Sequence, residues 1–256
     1  MMSLSYSRIA RLLAACMAFA TIAFIASCKK DEDNDTPPNN NAPSAIEYVT
    51  IGSQKWMTKN LSLAAYRDGT PIPQVTDPTE WANLTTGAWC WYNNDSATYA
   101  ATYGRLYNWY AVAGIFDAAS EADSTLRKQL APQGWHVPTD AEWGTMINFL
   151  DPAADGGNNP NMAGGKMKTT GTIEDGTGLW YAPNEMASNV SGFSGAPGGL
   201  RDGGVYDFVG AFALWWSSSE IGTGSAWGHG LFYDNGLANR FNYYKRLGFS
   251  VRCLRD

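Results

Sequence analysis

From Asp151 onward the chain is interrupted so often by glycine, proline and asparagine that only short regular elements fit. The runs DPAADGGNNPNMAGG (151–165), EDGTG (174–178) and SGFSGAPGGLRDGG (191–204) each demand turns. Glycine supplies positive φ and proline fixes φ, so both end helices and strands. A core assembled from short elements needs large side chains, and the chain has 11 Trp, 13 Tyr and 10 Phe, together 13 % of its residues. Charged residues reach 16 %, against about 25 % in an average soluble domain. That mix argues against intrinsic disorder, which goes with few aromatics and much charge. A net charge of −6 argues against a sequence-independent grip on nucleic acid. No stretch reaches the roughly 20 apolar residues of a membrane span, which excludes a polytopic membrane protein.

Regular elements are legible on both sides of these loops. Glu47–Ile51 alternates and meets Gly52-Ser53, which predicts a strand entering a turn, with Gln54–Met57 returning as its hairpin partner. Within Tyr103–Ala113, positions 106, 109, 110 and 113 fall at i, i+3, i+4 and i+7, predicting a helix closed by Gly114. A second helix is predicted to start at a capping box, with Thr139 as N-cap and Glu142 at N3. It carries Trp143, Met146, Ile147 and Leu150 on one face and stops before Pro152. Pro197-Gly198 fits the centre of a type II turn. Short strands are predicted at Phe212–Ser217, Ala226–Tyr233, Arg240–Tyr244 and Gly248–Leu254. In the last, Phe249, Val251 and Cys253 share one face, and Ser250 and Arg252 the other. Two helices, short antiparallel strands and long Gly/Asn-rich loops make an α+β domain over residues 46–256, with no internal repeat.

Residues 1–27 read as an address. Met1–Arg11 carries Arg8 and Arg11 and no acid, and Leu12–Ala26 is apolar or small except for Thr21. A basic n-region and a short apolar h-region predict a secretory signal peptide. It ends in Ile25-Ala26-Ser27-Cys28, which resembles the lipobox of bacterial lipoproteins, so Cys28 is the expected lipidation site and lipid the expected link to a membrane. Cleavage would remove Arg8 and Arg11 and take the formal charge from −6 to −8. Residues 28–45 then form a flexible acidic, Pro- and Asn-rich tether. Its opening, Lys29-Lys30-Asp31-Glu32-Asp33-Asn34-Asp35, resembles the surface-export signals of Bacteroidota lipoproteins. The expected location is therefore the outer membrane, lipid-anchored, on the cell surface.

Six blocks in the remainder carry a family resemblance. They are Ile51–Leu61 (IGSQKWMTKNL), Trp89–Asp95 (WCWYNND), Tyr103–Ala111 (YGRLYNWYA), Gly134–Asp140 (GWHVPTD), Trp215–Glu220 (WWSSSE) and Gly248–Cys253 (GFSVRC). In this order they resemble the Fibrobacter succinogenes major paralogous (FISUMP) domain of bacterial surface lipoproteins, over nearly all of residues 46–256. One departure is Ala131, where the family often has a Cys before the Pro. More distantly, Pro138–Trp143 and the terminal Gly-Phe…Val-Arg look like segments of formylglycine-generating sulfatase-modifying factors, which implies a C-type-lectin-like fold. Neither resemblance implies a reaction for this chain. The oxidase chemistry of those factors needs a reactive Cys pair in the C-terminal region, and between Trp215 and Arg252 there is no Cys.

Other chemistry is sparse. Cys90 and Cys253 are the cysteines of residues 46–256, and in an exported protein an even pair predicts a disulfide. His136 and His229 have no zinc-binding spacing, and His136, just before a helix cap, is expected to make a structural hydrogen bond. No G-x-S-x-G elbow or Walker A loop occurs. A carboxylate pair drawn from Asp140, Glu142, Asp202 and Asp207 stays open, because the spacing such hydrolysis needs is spatial. Asp151, Asp155, Asn158 and Asn159 with Gly156 form an oxygen-rich loop and the candidate calcium ligands, although Ala153 stands where an EF-hand requires a ligand. Asn184-Glu185 after Pro183 faintly resembles the calcium- and sugar-binding loop of C-type lectins. No other cofactor is expected.

The aromatic surplus points to binding, since Trp and Tyr offer a flat apolar face with a polar handle. Trp56, Trp109, Trp135 and Trp143 lie on periodic faces and are expected in the core. Trp180, Tyr206, Trp227, Tyr233 and Tyr243, in the loop-rich C-terminal half, are the expected exposed, ligand-binding ones. The reading is a non-catalytic surface module for a glycan or a protein such as a fimbrial partner, with no nucleic acid. The alternatives are a polysaccharide-acting enzyme using loop carboxylates, and a structural lipoprotein without a small ligand.

Overall fold

In the computed structural model the described residues are 46–256, so the signal segment, Cys28 and the tether fall outside them. The opening hairpin forms as predicted, from β1 (Tyr48–Ile51) and β2 (Gln54–Met57), turning at Gly52 with φ 60. Downstream come α1 (Pro78–Ala82), β3 (Trp89–Cys90), α2 (Ser96–Tyr103), β4 (Leu106–Tyr107), α3 (Trp109–Val112), α4 (Ala118–Ala122) and β5 (Trp135–His136). Then follow α5 (Asp140–Leu150), α6 (Ala163–Met167), β6 (Gly198–Asp202), β7 (Val205–Val209), β8 (Phe212–Glu220), β9 (Ser225–Phe232), β10 (Asn239–Tyr244) and β11 (Leu254–Arg255). Helices are few and the sheets small and antiparallel, a mixed α+β arrangement. No helix among the described residues is long and apolar enough to cross a membrane.

Three expectations change. The predicted helix over Tyr103–Ala113 is a strand and one helical turn, because Gly104, at φ 70, ends α2, and Asn108 starts α3 by accepting from the Ala111 N–H at 3.0 Å. A Cβ at Gly104 would also meet the Leu61 carbonyl oxygen at 2.8 Å. Pro197-Gly198 is not a turn centre: Gly198 opens β6, and that hairpin turns at Gly203-Gly204. Of Gly248–Leu254 only Leu254 lies in a strand. Gly248, Phe249 and Ser250 make single bridges, such as Trp215↔Ser250, while Phe249, Val251 and Cys253 do enter one core and Ser250 and Arg252 are buried facing polar partners.

The four-stranded sheet β1-β2-β11-β5 joins the two ends of the domain, and β10-β9-β8 forms a second sheet. One apolar cluster gathers Tyr107, Trp109, Trp216, Phe249 and Cys253, and another packs α5 through Trp56, Trp143, Trp180, Phe193 and Trp215. A third holds Val75, Trp81, Cys90, Tyr92 and Leu106. All four tryptophans expected in the core are there.

Long loops leave carbonyls that no ladder satisfies, and a buried unpaired carbonyl is costly. Three fully buried cations take them up. Arg252 donates to the Met57 and Phe193 carbonyls and to Asn60 Oδ1. Arg201 donates to the carbonyls of Val75, Thr76, Asp77 and Gly203 and lies 4.3 Å over the Trp81 ring. Lys168 donates to those of Phe232 and Asn235, each at 2.9 Å. Burial lowers the pKa of Lys168 to about 8 and that of Arg252 to about 9. Asn161 closes another loop, donating to the Asn159 and Ala238 carbonyls and accepting from the Ala163 and Ala238 N–H groups.

Candidate binding surface

Strand register sorts the side chains of the β8–β10 sheet onto two faces. Trp215, His229 and Arg240 stand opposite one another on the face turned to α5. There Asp140, the first residue of α5, receives Arg240 in a bidentate pair at 2.8 and 2.7 Å and His229 Nε2–H at 3.1 Å. Burial raises the Asp140 pKa, but the hydrogen bonds and charges of His229 and Arg240 outweigh it and bring it to about 2. His229 is driven the other way, its pKa lowered by full burial against the pull of Asp140. Its ring stacks on Trp143 with centroids 5.0 Å apart. This face is closed.

The opposite face is partly open. Phe212 pairs across the sheet with Phe232, and Phe241 stands opposite Gly228. With Phe208 at the end of β7 these rings form a row, with centroid spacings of 4.3 Å (208–212), 4.5 Å (212–232) and 6.3 Å (232–241). Phe208 and Phe241 are 46 % and 43 % exposed. Phe208 holds φ 66, a conformation that bulky residues rarely adopt and that costs on the order of 1–3 kcal/mol. Such strain at an exposed ring marks a position worth testing for function. Sequence reasoning missed this row. The alternation of Phe241 and Tyr243 was the available signal, and the backbone of Phe208 has none.

The five expected aromatic residues do not form one patch. Trp180 is fully buried, its Nε1–H donating to Thr169 Oγ1 and the Gly195 carbonyl under the Lys168 ammonium, so it is no exposed platform. Trp227 is half-buried, with the Arg240 guanidinium 3.2 Å above its ring. Tyr206 donates to Asn94 Oδ1 and stacks near Arg201. Tyr233 meets Tyr181 edge-on at 6.4 Å. Tyr243 packs on Phe249 at 4.8 Å and adjoins Phe241 at 6.0 Å, so it alone of the five extends the phenylalanine row.

The expected disulfide is not made. Cys90 and Cys253 are free, buried thiols in different apolar clusters. Burial raises both pKa values, that of Cys253 to about 12, so neither is a ready thiolate. In the oxygen-rich loop, Asp151 accepts the Ala153 and Met162 N–H groups, and Asn158 Oδ1 accepts from Arg240 at 3.1 Å, while Asp155 stands exposed. Among the described residues no three His, Cys, Asp or Glu side chains are grouped to hold a metal. The Asn184 amide donates to the Thr169 and Gly171 carbonyls. The candidate carboxylates separate into Asp140 and Glu142 on α5 and Asp202 and Asp207, exposed on the β6–β7 hairpin.

Beside the α5 cap lies a cleft of about 360 Å³, lined by apolar Trp109, Val112, Leu130 and Val137 and by polar groups that include Arg127 and His136. His136 bridges two carboxylates, Nδ1 to Asp256 at 2.7 Å and Nε2 to Glu142 at 2.9 Å. Burial lowers its pKa, but the hydrogen bonds and charges of Asp256 and Glu142 prevail and raise it. Glu142 also accepts the Thr139 N–H, completing the predicted capping box.

The sequence pattern of the family described as Fibrobacter succinogenes major domain matches residues 49–255. The chain belongs to this family. Membership in the Fibrobacter major domain family accounts for the ordered blocks and brings no established activity with it. No curated protein and no solved structure matches the chain.

Proposed function

We propose that this protein is a lipoprotein displayed on the outer membrane surface, acylated at Cys28 and carrying its Fibrobacter major domain on the tether of residues 28–45. The domain acts as a non-catalytic binding module for a glycan or for a protein such as a fimbrial partner. The observation that carries this reading is the exposed phenylalanine row on the β8–β10 sheet, headed by a strained Phe208. A C-type-lectin-like architecture belongs to the same proposal, supported by the pairing of the terminal β11 with β2 of the opening hairpin.

The test uses the full chain in detergent on a glycan array and on purified surface fimbriae, with calcium and with chelator. Binding that is lost in a Phe208→Ser, Phe241→Ser double variant with an unchanged unfolding midpoint supports the module. Equal binding by that variant overturns the row as the site. Release of reducing ends from a polysaccharide, abolished by Asp140→Asn or Asp202→Asn, would replace the proposal with the enzymatic alternative. Acylation is read separately, by incorporation of a labelled fatty acid that Cys28→Ser should abolish.

A further inference from the structure

Resting on the glycan arm of the proposed function, we infer that the cleft beside the α5 cap is a subsite for an acidic sugar, a hexuronate residue within a glycan. The lining has both kinds of surface that such a residue requires. Val112, Leu130 and Val137 offer apolar contact for the C–H face of a pyranose ring. Ser218 and Gln129, whose side chains have no hydrogen-bond partner among the described residues, offer polar groups for its hydroxyls. A volume of about 360 Å³ sits at the small end of the roughly 300–1,000 Å³ range of ligand sites, the size for a short saccharide.

Charge selects the acid. Lys128 in the lining is bound to Asp68 at 2.5 Å, and His136 lies between Glu142 and Asp256. Glu220 in the lining is matched by Lys245. Arg127, half-buried, is the lining charge with no salt-bridge partner among the described residues. Its Nε–H donates to the Ser120 carbonyl at 3.3 Å, which leaves both terminal nitrogens of the guanidinium open. An open planar guanidinium is a fork for a carboxylate, and a lysine ammonium is not. The cleft also lies away from the Phe208 end of the phenylalanine row. Phe208 stacks on Phe212, which opens β8, and Ser218 nears that strand's end, a separation of about 20 Å along it. The cleft and that end of the row can therefore be tested independently.

Calorimetry on the full chain in detergent would compare a galacturonate trisaccharide, its neutral galactose counterpart and acetate. The trisaccharide acid should bind at least ten-fold more tightly than either control. Arg127→Gln should erase that preference without moving the unfolding midpoint, Arg127→Lys should restore part of it, and Phe208→Ser should leave it intact. An Arg127→Gln protein that binds the uronate as wild type does overturns the subsite, as does a neutral trisaccharide that binds equally well. Both outcomes leave the glycan reading standing. Acetate binding as tightly as the uronate overturns recognition of the sugar. If no saccharide binds, here or on the array, both the subsite and the glycan reading fail.

Discussion

On the face of the β8–β10 sheet turned to α5, the charged groups are engaged inside the molecule: Arg240 and His229 converge on Asp140, and Trp143 covers His229. On the other face, Phe212, Phe232 and Phe241 extend from the core cluster toward solvent and end at a strained Phe208. The strands are the same and only the side-chain parity differs. Titratable residues are therefore a poor guide to the open side of this sheet. The two histidines and the acids of α5 fasten the scaffold, and the open face of β8–β10 is lined by rings without charge.

The largest effect should come from the closed face. Trp143→Ala removes a ring that touches Trp56, Phe193, Trp215 and His229 and should cost about 3–5 kcal/mol in urea unfolding. Asp140→Ala leaves Arg240 and His229 without their partner and should cost about 2–3 kcal/mol. The sign of its pH dependence follows from the lowered folded-state pKa. The stabilisation is complete above the ordinary value of 3.8 and is lost as pH falls through about 2. Unfolding curves of wild type and variant should therefore converge in acid, and a constant gap would break the assignment.

His136 is smaller and opposite in sign. Its folded pKa is raised above 6.5, so its stabilisation is present below that value and fades as pH rises through the folded pKa. His136→Gln should lose roughly 0.5–1 kcal/mol between pH 5 and 6 and little at pH 9. The smallest effect belongs to the open face. Phe208→Asn relieves the positive φ, which Asn tolerates, and loses one stacked ring. Those terms nearly cancel, and stability should stay within about 0.5 kcal/mol of wild type while partner binding falls at least ten-fold. A clear loss of stability with binding intact would make the row a piece of core.

Much of the scaffold is legible in the sequence where one local rule suffices. The capping box of Thr139 and Glu142 and the apolar face of α5 are found as read, and β8, β9 and β10 lie within three residues of their predicted ends. Tyr103–Ala113 failed because a helical period survived across Gly104 and Asn108, and only the cap geometry showed that the chain restarts there. Cys90 and Cys253 failed because an even cysteine count carries no distance, and each thiol belongs to its own cluster. Of the candidate site, Tyr243 was found and Phe208 was not, because nothing in the sequence announces a phenylalanine at φ 66.

Arg201, Arg252 and Lys168 grip the loops chiefly by their carbonyl oxygens, which every amino acid presents alike. A fastening of this kind is blind to the letters it fastens. Exposed side chains on the pinned loops, such as Thr76, can be rewritten without loosening the pins, so one framework can wear many different outer surfaces. Diversification would then be limited by where a carbonyl must point and by the pinned residues that also fill the core, Val75 and Phe193 among them.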